Sequence, residues 1–170
     1  MSSNYNSRVL NLIMTLCTFI IWLKFFITVM FGYKMSKYTR NRTKEDLKSN
    51  EEEMILEASD DIKAEELRWW YIELNDIENL PYSLIIFWTT RFIIYGDYTA
   101  ELILIYSFPI YVISRILHTI SFACQLLLPR MITYIISILC LVLCSLTGVV
   151  WSITQIVDYR ENSDFLKNGL

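Results

Sequence analysis

Arg68, Tyr71, Asn75, Glu78 and Tyr82 follow one another at intervals of 3, 4, 3 and 4 residues, the spacing of one helical face. Tyr111, Arg115, His118 and Phe122 repeat it at 4, 3 and 4, and Arg130 and Tyr134 stand about one turn apart. Cations, a carboxylate, an amide, an imidazole and phenols at that period can hold a charged polar ligand. They can equally pair with one another. Asn75 and Glu78 lie in "YIELNDIENLPYS", and Arg115 and His118 in "SRILHTISF", each beside or within an apolar run. Ionisable groups at membrane depth are costly, so they pair or line a site, and all three stripes are expected to face inward toward the cytosolic end of the bundle. Helix-to-helix pairing and a ligand site both remain open on the residues alone.

The elements that must position these groups follow from composition. The chain has 170 residues, room for one domain over 1–170. It is 54% hydrophobic and 15% aromatic with only 4 Gly and 3 Pro, which is too apolar for a soluble domain of this size. The net charge of −3 is clustered, and no uniform basic surface is present, which argues against a nucleic-acid partner. Cys17, Cys124, Cys140 and Cys144 sit in apolar surroundings and read as small hydrophobes. No second pair or nearby His completes a tetrahedral set, so no metal is expected.

Four apolar stretches predict helices at about 9–33, 60–95, 101–128 and 130–157, with a charged loop over about 34–59. Each stretch is near or above the roughly 20 residues that a span needs. Strict alternation is missing, so the fold class is all-α, an integral membrane four-helix bundle rather than a barrel. The first stretch exceeds a signal-peptide core and shows no small-residue cleavage site, so it reads as a permanent span. Lys34, Lys37, Arg40, Arg42 and Lys44 follow the first helix, whereas only Arg8 precedes it. This places the loop in the cytosol and both termini in the lumen. The sequon Asn41-Arg42-Thr43 should then stay unmodified. Lys24 lies mid-span and calls for a buried acidic partner such as Glu78. Arg91, near the lumenal end of the second helix, is expected to snorkel. Pro109 predicts a kink or altered start in the third helix.

"ELRWWYIELNDIEN" followed by "SRILHTISF" resembles the MAPEG family, membrane-associated proteins in eicosanoid and glutathione metabolism. The resemblance is strongest to the family's microsomal glutathione transferase branch and more distant to its prostaglandin E synthase branch. The pattern is an Arg, then Asn-Asp-x-Glu, then Arg-x-x-His-Thr, carried here by Arg68, Asn75, Asp76, Glu78, Arg115, His118 and Thr119. Lys24 resembles a lysine of the family's first helix. The resemblance implies a homotrimer in the endoplasmic reticulum membrane, or the mitochondrial outer membrane. It also implies glutathione as co-substrate, bound between subunits near the cytosolic side. The implied reaction is conjugation to a lipophilic electrophile in the membrane lipid, or reduction of a lipid hydroperoxide. Lys34, Arg68, Asn75, Glu78, Arg115, His118 and Tyr134 become glutathione contacts. Arg130 becomes the catalytic cation, which favours the thiolate over the thiol.

The chain departs from that pattern in particular places. Trp70, Tyr71, Ile72 and Glu73 stand where relatives carry Arg-Arg-Ala-His, so carboxylate-binding arginines are missing. Phe122 replaces a tyrosine. Lys34 or Lys37 replaces an arginine, and a lysine cannot form the planar fork. Met131 replaces the serine of the prostaglandin synthase branch. Two functions therefore compete: a glutathione transferase or peroxidase, and a non-catalytic membrane protein with weakened glutathione binding that works through interactions.

Overall fold

The computed structural model describes the backbone of residues 2–35 and 60–168 and the side chains of residues 7–34 and 64–160. It has four helices: α1 (Ser2–Met35), α2 (Asp60–Ile93), α3 (Tyr98–Ala123) and α4 (Leu127–Asn168). No strand occurs among the described residues. Lys37, the Asn41 sequon and the acidic run before α2 lie outside the described residues.

Three stretches are long and apolar enough to cross a membrane: Ser7–Lys34, Tyr98–Ala123 and Leu127–Arg160, with mean hydropathies of 2.2, 1.6 and 2.3. α2, expected to hold a fourth span, does not qualify by composition. Asn75, Asp76, Glu78, Asn79 and Arg91 interrupt its apolar run. Its contacts nevertheless lay it antiparallel along the whole α1 span. Phe31 stacks on Trp69 with ring centroids 5.2 Å apart, and Lys24 pairs with Asp76. Trp88 Nε1 donates to Thr18 at 3.1 Å, and Arg91 Nε donates to Asn11 Oδ1 at 3.0 Å. α2 therefore traverses the same layer as α1, with Asp76 and Arg91 turned onto protein partners.

The remaining pairings complete an up-down-up-down bundle. Ser114 of α3 donates to the Thr133 carbonyl of α4. Phe87 of α2 stacks on Phe108 of α3 at 4.3 Å. Leu10, Met14, Phe87, Ile94, Leu104 and Phe108 are fully enclosed. α4 approaches α2 along small residues: Cys140 and Cys144 are buried, and a Cβ added to Gly148 would lie 3.4 Å from Thr90 Oγ1. Lipid tails are as apolar as leucine, so close packing and polar links rather than burial from water hold such helices together.

The turns differ from expectation. α3 ends at Ala123, not near Leu128. Leu126 N–H donates to Ser121 O at 2.8 Å, and Gln125 N–H donates to Phe122 O at 3.2 Å. This is a Schellman closure. Gln125 takes the left-handed position at φ 60° that glycine usually fills. α4 then starts at Leu127, so Pro129 sits in its first turn, where a missing N–H costs nothing, and Arg130 is helical. Pro109 lies inside a continuous α3 and does not set its start; that start is Tyr98, capped by Asp97 Oδ1, which accepts from Ala100 N–H at 2.6 Å.

Arg91 does not snorkel. It is 3% exposed, and Glu101, on the first turn of α3, accepts from its Nη1 at 3.2 Å. Its Nη2 donates to Ser7 at 3.4 Å, and its guanidinium lies 5.1 Å from the Tyr95 ring centre. Ser7 and the Gly96 N–H also donate to Glu101, at 2.5 and 3.4 Å. A buried arginine is tolerable when its charge and its donors are met in this way.

Candidate functional site

The polar residues of interest gather at the bundle end formed by the C-terminal turns of α1 and α3 and the N-terminal parts of α2 and α4. The deeper layer joins three helices. Lys24 of α1 donates to both carboxylate oxygens of Asp76 on α2. Arg115 of α3 donates through Nη2 to Asn75 Oδ1 at 2.6 Å and to Asp76 Oδ1 at 3.4 Å. Asn79 Nδ2 donates to the Asn75 carbonyl at 2.7 Å. Arg115 is 2% exposed, and its Nε has no hydrogen-bond partner among the described residues.

This arrangement corrects two expectations. The partner of Lys24 is Asp76, not Glu78. On α2 the inward face is Ile72, Asp76, Leu80, Ser83 and Phe87, all buried. The face through Tyr71, Glu78 and Tyr82 is exposed on the single chain, with Arg68 and Asn75 half-buried at its edge. The two stripes share the same period and lie one residue apart. The stripe that buries apolar side chains takes the inside.

The shallower layer lies between α3 and α4. The Arg130 carbonyl lies 3.1 Å from His118 Nδ1. A carbonyl only accepts, so Nδ1 carries the proton and Nε2 of a neutral ring is left as an acceptor. Thr133 Oγ1 donates to the same carbonyl at 3.1 Å. The Arg130 guanidinium lies over the Phe122 ring, 4.5 Å from its centre. The Tyr134 and His118 rings are 5.9 Å apart. In the sequence Phe122 stands out only as a lost hydroxyl; in the fold it is the platform beneath Arg130. The position of Phe122 one turn after His118, with a cation just beyond the helix end, is the signal for that role.

Arg68 forms a third group at the α3–α4 turn. Its Nη1 donates to Ala123 O at 3.3 Å. With the Gln125 amide oriented to satisfy both its atoms, Gln125 oxygen accepts from Arg68 Nη2 at 2.5 Å and Nη1 at 3.0 Å. Lys34 is exposed on the last turn of α1 and makes no hydrogen bond or ion pair among the described residues. The fold thus joins Asn75 to Arg115, and His118 to Arg130 and Tyr134. It leaves Glu78 and Lys34 on the outer surface of the chain. No three His, Cys, Asp or Glu side chains among the described residues come together in a way that could hold a metal ion.

Residues 12–150 match the family model of the MAPEG family. The chain belongs to the MAPEG family. That match covers most of the chain, including all of α3 and every residue of the two polar layers. It makes this a membrane protein of the eicosanoid and glutathione metabolism kind. No curated protein matches the chain, and no solved structure does. Within this MAPEG chain Asp76, which the sequence pattern contained but gave no role, is the residue that ties α1, α2 and α3 together.

Proposed function

We propose that this chain is a membrane-bound glutathione transferase, with glutathione-dependent peroxidase activity, that acts on lipophilic electrophiles or lipid hydroperoxides. The observation that carries the reading is Arg130. Arg130 is half-buried, its guanidinium held from one side by Phe122 and its backbone fixed by His118. A cation fixed in that way lowers the energy of a thiolate beside it and so favours attack on an electrophile. Asn75, Arg68 and Tyr134 offer polar groups around it for the peptide and carboxylates of glutathione. Glu78, on the outer face of α2, suits the glutathione ammonium in a cleft shared between subunits, and a homotrimer would supply that cleft. We place the protein in the endoplasmic reticulum membrane, with the mitochondrial outer membrane as the second candidate. In that placement the loop before α2 is cytosolic and both termini are lumenal.

A second reading rests on Glu73. A Cβ on Gly32 would come within 2.8 Å of Glu73 Oε2, so this carboxylate folds back onto α1 at the same end of the bundle. An added anion there opposes the carboxylates of glutathione and favours a non-catalytic role through interactions. Glutathione titration of the detergent-solubilised protein, with conjugation to 1-chloro-2,4-dinitrobenzene, separates the two. The transferase reading expects saturable binding and turnover that Arg130→Ala removes. Absence of saturable binding at millimolar glutathione overturns it.

A further inference from the structure

Glu73 stands on α2 between Arg68 and the pair Asn75 and Glu78, about 3 Å along the helix from Asn75 by the rise per residue. Its carboxylate is folded onto α1. A Cβ on Gly32 would lie 2.8 Å from Oε2, so the carboxylate rests directly on the α1 backbone. Phe31, the neighbour of Gly32, stacks on Trp69, one turn before Glu73 on α2. The residue is half-buried and makes no hydrogen bond or ion pair among the described residues. A carboxylate held out of water without a counter-charge is costly, and it repels any second anion brought near it.

The cations at this end of the bundle are engaged elsewhere. Lys24 pairs with Asp76, and Arg115 donates to Asn75 and Asp76. Arg68 has Nη1 on Ala123 O and both Nη atoms on Gln125. Lys34 and Arg130 remain, and the proposed reaction assigns Arg130 to the thiolate. Glu78, like Glu73, makes no ion pair among the described residues. In the glutamyl head of glutathione the ammonium and the α-carboxylate cancel, so the net charge resides on the glycine carboxylate. Glu78 and Lys34 match that head. The glycine carboxylate then faces Glu73 with no unengaged cation of the described residues to meet it. A carboxamide in its place removes the repulsion, and its N–H donates to the open carboxylate. We propose that this site prefers a glutathione-type thiol whose C-terminal carboxylate is replaced by an amide, and that Glu73 sets the preference. The inference rests on the transferase reading and names its co-substrate class: Glu73 then decides which thiol is taken rather than whether one is.

The test compares glutathione, its C-terminal amide and its glycine ethyl ester as thiols for 1-chloro-2,4-dinitrobenzene, with the full-length protein in detergent. The thiolate sulfur bonds to the chlorinated ring carbon, chloride leaves with the bonding pair, and the thiol proton passes to solvent. That chemistry is common to all three, so differences in kcat/KM report the far end of the thiol. The amide should exceed glutathione by roughly 3- to 30-fold, the range for one like-charge contact at partial burial. The ester, neutral but without an N–H to donate, should fall between them. Glu73→Gln should bring the three within about twofold of one another, because the repelling charge is gone. Glutathione equal to or better than the amide overturns the inference. So does an ester that outruns the amide, which would assign the preference to apolar contact, or a preference that survives Glu73→Gln. In each of these outcomes glutathione is still turned over and the transferase reading stands. Turnover of none of the three thiols overturns both.

Discussion

Lys24 and Asp76 form an ion pair in the interior of the bundle, α1 to α2, and Arg115 of α3 donates to the same carboxylate at 3.4 Å. One anion therefore compensates two buried cations and links three helices. Membrane helices lack a hydrophobic drive to associate, so such links bear heavily on how the bundle holds together.

Removing the anion should cost more than removing either cation. Asp76→Asn leaves Lys24 and Arg115 buried without a counter-charge, a loss of about 3–5 kcal/mol for a broken buried pair. Lys24→Met leaves one cation on one anion and removes an ammonium from hydrocarbon, so its cost is smaller. Thermal denaturation of both variants in one detergent measures the order. If Lys24→Met is the less stable, Asp76 is not the hub.

The Arg91 cluster at the opposite end of the bundle yields a parallel expectation with a different chemistry. Arg91 uses Nε, Nη1 and Nη2 on three separate acceptors. A lysine cannot reproduce that fork. Arg91→Lys should therefore destabilise nearly as much as Arg91→Met, again by about 3–5 kcal/mol if Glu101 is left unpaired. Pairing Arg91→Met with Glu101→Gln should recover most of the loss. A double variant no better than Arg91→Met alone would show that the ion pair is not what matters there.

These two clusters also show how far the sequence could be read. The apolar runs of α1, α3 and α4 are long and lightly interrupted, so their helices are legible from hydropathy. On α3, Arg115 and His118 share a face with Leu104, Phe108 and Tyr111, so apolar and polar periodicity name the same buried side. On α2 they conflict. Asn75 and Asp76 are adjacent, and each heads a stripe at the same spacing. The polar content of the Arg68–Tyr82 stripe drew it inward, whereas Ile72, Leu80 and Phe87 mark the side that packing selects. The Arg91–Glu101 pair was hidden because its members belong to different helices across the Gly96 turn. The end of α3 was hidden because Gln125, with no glycine to signal it, adopts the positive φ.

Phe122 should act on Arg130 through its ring rather than through a hydroxyl. Cation–π contacts are worth about 0.5–2 kcal/mol. If Arg130 acts on the thiolate as proposed, Phe122→Leu should lower kcat/KM for 1-chloro-2,4-dinitrobenzene conjugation by roughly 2- to 30-fold. Phe122→Tyr should stay near the wild type, because the ring face is kept. A similar fall in both variants would assign the effect to the shape of the pocket instead.

Gln125 and Arg68 form the last testable pair, and the expected sign depends on the partner. Glycine accepts φ 60° without a Cβ penalty, which favours Gln125→Gly by up to about 1 kcal/mol. The same change removes one of the two acceptors of the Arg68 guanidinium and leaves Ala123 O, and a hydrogen bond to a charged group is worth about 1.5–3 kcal/mol. In the wild-type background Gln125→Gly should therefore be neutral to destabilising. In an Arg68→Ala background that acceptor role is already gone, and Gln125→Gly should stabilise. A double-mutant cycle read by thermal denaturation measures the coupling directly. If glycine has the same effect in both backgrounds, Gln125 is retained at this turn for a reason other than Arg68.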